Sequence, residues 1–100
     1  MKEDLDSYLT LLKINIECFA LGQFKVAYHA LSGAFYYASS PRTENEKRIE
    51  QVRLIASLQL QELQIRFSCE EFNSEASEVA LYRSLVSMAD ARRASVHVRG

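Results

Sequence analysis

Residues 22–38 read GQFKVAYHALSGAFYYA, and the spacing of their small residues decides the fold. Phe24, Ala27, Tyr28, Leu31, Ala34, Phe35 and Ala38 recur at steps of three and four. That is the signature of one helix face. Val26, Ala30, Gly33 and Tyr37 form a flanking stripe. Gly22 stands just before the pattern begins and just after another ends at Leu21. Glycine there reads as a left-handed cap closing the preceding helix. A turn that short makes the two helices an antiparallel hairpin. Gly33 inside a helix costs about 1 kcal/mol relative to alanine. A close backbone approach by the neighbouring helix would account for it. Ala27, Ala30, Gly33 and Ala34 are the expected close-contact positions.

Working outward, the periodicity predicts helices over about 3–21, 23–39, 43–67 and 74–94, with 95–100 a frayed tail of one all-helical domain. On the first helix, Leu5, Tyr8, Leu9, Leu12, Ile16 and Phe19 make one stripe, and Leu11, Ile14, Cys18 and Leu21 a second. So wide an apolar arc should meet two neighbours, or one neighbour and a partner. Glu3, Asp4 and Asp6 suit the helix's start. Pro41 ends the second helix, because the residue before proline is disfavoured in the helical region. Thr43 with Glu46 then reads as a capping box for the third. Ile49, Val52, Ala56, Leu60, Leu63 and Phe67 are spaced almost as heptads, and Leu54, Ile55, Leu58 and Ile65 widen that stripe. Ser68 with Glu71, or Asn73, would cap the fourth helix. Arg92 and Arg93 suit its C-terminal dipole.

Composition sets the class. One hundred residues suit one domain, and one proline with three glycines argues for long elements and short connections. The net charge is −1, with six basic and seven acidic residues in 1–50 and six of each in 51–100. This even distribution offers no footprint for nucleic acid. No apolar run reaches the roughly 18 residues of a membrane span, and the acidic start is unlike a signal peptide. Cys18 and Cys69 make no disulfide framework, so a cytoplasmic protein with reduced thiols is expected.

Residues of catalytic type do not assemble into a pattern. Cys18, His29, Cys69 and His97 lack the short spacing of metal ligands, so neither a metal nor a cofactor is expected. A Cys18–His29 pair across the hairpin is conceivable, but cysteine on an apolar stripe is usually a small buried hydrophobe. Glu70, Glu71, Glu75 and Glu78 fit a solvated helix start better than acid–base work, which needs divergent pKa values. Residues 92–95, RRAS, match a basophilic kinase site, but four residues match too easily, and a dipole-matched helix end explains them better. Phe35, Tyr36 and Tyr37 span about 200° of the helical wheel, so at least one tyrosine must face solvent or an interface.

The spacing G-x-aromatic-x2-A-x3-large-x2-A over Gly22, Phe24, Ala27, Leu31 and Ala34 resembles the turn and second helix of a tetratricopeptide repeat. Leu11, Ile14 and Cys18 fall on its first-helix positions, and the resemblance covers about 9–41. Leu11 stands where the family has tryptophan, Asn15 where it has glycine and Cys18 where it has an aromatic. Pro41 comes about two residues late, and no second copy follows one period on. The second-helix pattern is also similar to that of microtubule-interacting-and-trafficking domains, three-helix bundles with a long third helix.

The expected fold is therefore all-α: an antiparallel hairpin plus two further helices, as an up-and-down bundle or a tetratricopeptide-like right-handed array. The resemblance implies that the first helix lines a ligand face, which would comprise Leu9, Leu12, Ile16 and Phe19. Tyr36 and Tyr37 join them as candidate partner-binding residues. The leading expectation is a non-catalytic module that binds another protein or itself. The alternatives are a homo-oligomer built on the stripe from Ile49 to Phe67, and a small-molecule binder or enzyme using Cys18, Tyr28, His29 and Tyr82 between helices.

Overall fold

The structure, a computed structural model, describes residues 7–67 and 76–99. It is all-α, with α1 Ser7–Ala20, α2 Phe24–Ser39, α3 Glu46–Phe67 and α4 Ala76–Arg99. Two antiparallel hairpins, α1·α2 and α3·α4, pack side by side, and α2 rests on both α3 and α4. The acidic residues before Ser7, and the caps expected at Ser68, Glu71 and Asn73, lie outside the described residues.

Gly22 closes α1 as its spacing predicts. Its φ is +81°, Gln23 N–H donates to Cys18 O at 2.9 Å and Gly22 N–H to Phe19 O at 3.0 Å. This bond pair is a Schellman cap. Gly33 is different in kind. A Cβ there would lie 3.3 Å from Leu11 Cδ1, so it admits a side chain of α1 rather than its backbone.

The α2–α3 connection corrects the expected capping box. α3 begins at Glu46, and Asn45 caps it by accepting the Arg48 N–H at 3.2 Å. Asn45 directly precedes Glu46, and its amide oxygen takes the orphan N–H of Arg48, the third residue of the helix. Thr43 instead donates its hydroxyl to the Tyr37 carbonyl at the end of α2. The neighbouring carbonyls are also taken: Ala38 O by Asn45 N–H at 3.0 Å and Ser39 O by Arg92 Nη2 at 2.7 Å. Arg92 also pairs with Glu44 at 2.9 Å. Its charge therefore serves the C-terminus of α2, not that of α4, which continues to Arg99 through the segment where the sequence pattern ends it. Arg93 pairs with Glu50 of α3 at 3.0 Å.

The core draws on every helix: Tyr8 and Leu12; Leu31, Ala34, Phe35 and Ala38; Ile49, Val52, Ala56 and Leu63; Tyr82, Leu85 and Ala89. The near-heptad stripe of α3 is thus occupied inside the chain, since Ile49, Val52, Ala56 and Leu63 are fully buried. α2 and α4 cover those four positions within the chain.

A polar network sits within this core. Asn15 is 0% exposed. Its Nδ2 donates to Ala27 O at 2.7 Å and to Gln59 Oε1 at 3.0 Å. Gln59 Nε2 returns a bond to Asn15 Oδ1 at 2.7 Å, and the Tyr82 hydroxyl donates to Gln59 Oε1 at 2.7 Å. One amide pair and one phenol thereby join all four helices. The glycine-to-asparagine departure at residue 15 does not loosen α1; it ties α1 to the backbone of α2 beside the fully buried Ala27.

Two outcomes follow. Gly22→Ala should lower stability by about 1–2 kcal/mol, the left-handed backbone penalty alone, because nothing lies within 4 Å of its added Cβ. Asn15→Ala should cost about 3 kcal/mol by stranding Gln59 and removing the tie to α2, and a double-mutant cycle with Gln59→Leu should show strong coupling. Urea unfolding of the parent, the three single variants and the double variant measures both.

Candidate interaction surface

Two side chains of α1 aim it at α3. The Tyr8 hydroxyl lies 2.6 Å from Gln51 Oε1 and 3.1 Å from Arg48 O, and the Arg48 guanidinium covers its ring at 4.4 Å. Seven residues on, Asn15 meets Gln59. Both numbers rise together, so α1 and α3 run parallel. The pairings of Ser39 with Arg92 and Tyr28 with Tyr82 show the same for α2 and α4.

This geometry places one apolar face. Each residue turns a helix by about 100°. Leu9 and Ile16 follow Tyr8 and Asn15 by one residue, so they sit one such turn past the α3-facing line. Leu58 precedes Gln59 by one, and Leu54 and Ile65 share its side of α3. On parallel neighbours, a forward turn on one and a backward turn on the other point the same way. Leu9 (52% exposed), Ile16 (54%), Leu54 (47%), Leu58 (65%) and Ile65 (63%) therefore share the outer face of the α1–α3 pair. α2 and α4 lie on the opposite side.

The residues proposed from sequence are divided by this arrangement. Leu9 and Ile16 are on the outer face. Leu12 is buried in the core at 6% exposure. Phe19 is half-buried, its ring 4.9 Å from Phe24 and edge-on to Tyr82 at 6.1 Å. Tyr36 is exposed, whereas Tyr37 is half-buried and packs on the core. Leu54, Leu58 and Ile65 lie beside the core stripe of α3 and do not enter the core. With Gln61 they step by four, three and four, a seam of their own that the spacing could have revealed.

The polar candidates do not converge. The Tyr82 hydroxyl is committed to Gln59, Tyr28 lies edge-on between His29 and Tyr82, and His29 is exposed. Cys18 is a half-buried free thiol. Among the described residues no three His, Cys, Asp or Glu side chains come together, and no helix is long and apolar enough to cross a membrane. An ionic cluster ties α3 to α4: Arg93 reaches Glu50 at 3.0 Å and Arg53 reaches Asp90 at 4.0 Å, while Arg53–Glu50 at 2.7 Å and Arg93–Asp90 at 3.7 Å pair within each helix. The Arg53 hydrogen bond, aided by the charges of Arg53 and Arg93, holds the Glu50 carboxyl below its ordinary value.

No protein family matches the chain, and neither does any curated protein or solved structure.

Burial pushes the Tyr8 phenol up to about 12, against the opposing charge of Arg48. Tyr82 is raised in the same direction by its burial. A raised folded pKa means that the stabilisation is complete below the unfolded value of about 10 and is lost as pH climbs toward the folded one. Urea midpoints should be flat from pH 7 to 9 and fall between pH 10 and 12. Tyr8→Phe should be less stable at pH 8 by about 1 kcal/mol and show a shallower alkaline fall.

Proposed function

We propose that this chain is a non-catalytic protein-interaction module whose contact surface is the outer face of α1 and α3. One observation carries the reading: five large aliphatic side chains, all near half exposed or more, are collected on one face of two parallel helices. Contiguous exposed apolar surface on a folded domain marks an association site. The parallel placement of α1 with α3 and α2 with α4 supports a tetratricopeptide-like array of two hairpins, in which first helices line a common face. The dispersal of Cys18, Tyr28, His29 and Tyr82 supports a role without catalysis. The free thiol of Cys18 suits a reducing, cytoplasmic setting.

The seam of Leu54, Leu58, Gln61 and Ile65 favours a helical partner, since its steps match those of packed helices. A second copy of the chain is one such partner, and the net charge of −1 offers little repulsion to self-association.

A photo-crosslinking residue at position 58 should capture one defined protein, or the chain itself, and the adduct should vanish with Ile16→Asp. The same residue at the exposed Arg83 of α4 should capture nothing. Equal capture at both positions, or none at 58, would refute the reading. Leu58→Asp should leave the unfolding midpoint within about 0.5 kcal/mol of the parent, because the residue is a surface position.

A further inference from the structure

A second feature lies on another part of the surface, where α2 ends. An open depression of about 910 Å³ is lined by Leu11, Gly33, Tyr36, Tyr37 and residues 39–43. Its floor is the Leu11 side chain, lying across α2 where Gly33 offers no Cβ. The turn over residues 40–43 forms one wall: Ser40 is extended (φ −67°, ψ 143°) ahead of Pro41, and Thr43 N–H closes onto Ser40 O at 3.0 Å. Tyr36 and Tyr37 form the other.

Hydroxyls and one guanidinium are the polar side-chain groups around this floor. Ser39 and Thr43 give their hydroxyls to the carbonyls of Phe35 and Tyr37. The hydroxyls of Tyr36, Tyr37 and Ser40 and the guanidinium of Arg42 bond to no other described residue. All four donate. Among the described residues no carboxylate lines the depression, and Glu44, next in sequence after Thr43, is held by Arg92 at 2.9 Å. Its volume falls in the ~300–1,000 Å³ range of ligand sites, and its open side admits a passing chain. Tyrosine and arginine are the side chains that interfaces favour, and arginine grips carboxylates with paired bonds.

The geometry points to a binding site for a short segment of a partner protein that carries a bulky apolar side chain beside a carboxylate. The apolar group sits on Leu11 between the tyrosines, and the carboxylate takes Arg42. The site shares no residue with the outer face of α1 and α3 and stands independently of it.

Panning phage-displayed random heptapeptides against the full chain tests this. The parent should enrich peptides with Asp or Glu within three residues of Leu, Ile or Phe. Measured by fluorescence anisotropy, one such labelled peptide should bind roughly tenfold more weakly to Arg42→Glu and to Tyr36→Ala, the loss of one charge-assisted contact or one aromatic wall. Arg42→Glu should in turn enrich Lys or Arg at the acidic position, and Leu58→Asp should bind as the parent does. Both Arg42 and Tyr36 are exposed, so their variants keep the fold, which circular dichroism verifies. Lack of enrichment, enrichment without a carboxylate, binding that survives Arg42→Glu, or binding lost in Leu58→Asp would overturn the assignment.

Discussion

The paired amides of Asn15 and Gln59 hold the two hairpins in one arrangement. An amide buried without partners costs several kcal/mol, so wherever the helices settle, these two side chains must find each other. They exchange two hydrogen bonds, and the remaining capacity goes to the Ala27 carbonyl and the Tyr82 hydroxyl. Sliding α1 by one turn along α3 would break both bonds between Asn15 and Gln59 at once. Hydrophobic contacts around them tolerate such slips far better, because burial is non-directional. The network therefore sets the register, and the register sets which residues of α1 and α3 share an outer face.

A second constraint acts at the end of α2. Three successive carbonyls, of Tyr37, Ala38 and Ser39, are satisfied by Thr43, Asn45 and Arg92. The last comes from α4, so the C-terminal end of the first hairpin depends on the second hairpin being docked. Helix termini leave such acceptors orphaned, and the Arg92 cation beside them also meets the negative end of the dipole. The same capping turn shapes the depression beside Tyr36 and Tyr37. Structural bonds consume Ser39 and Thr43 and leave the donors of Ser40 and Arg42 facing outward.

Particular residues show how far the sequence could be read. The α1–α2 hairpin was legible because Gly22 acts locally: its positive φ and two backbone bonds need nothing beyond six residues of chain. The buried polar residues were legible in principle. Asn15 falls in the series 8, 12, 15, 19 and Gln59 in the series 52, 56, 59, 63, the same 4-3-4 steps with an amide in the same slot. Arg92 could not be assigned from its neighbours, since a basic residue that serves its own helix end looks the same as one that serves another helix. The outer seam of α3 was merged with the core stripe because α3 is apolar on two sides, and hydropathy does not say which side is covered.

The sequence by itself determined four helices, the cap at Gly22, the break at Pro41 and the all-α class, since each follows from backbone sterics and periodicity within a few residues. Only the tertiary structure decided that Leu12 and Phe19 turn inward while Leu9 and Ile16 turn out. It also decided that Arg92 closes α2 and that Leu54, Leu58 and Ile65 join α1 in one surface. Those outcomes depend on how one helix is rotated and shifted against another. That choice is made by a few directional bonds between residues some forty to seventy positions apart, Asn15 to Gln59 and Tyr82 above all.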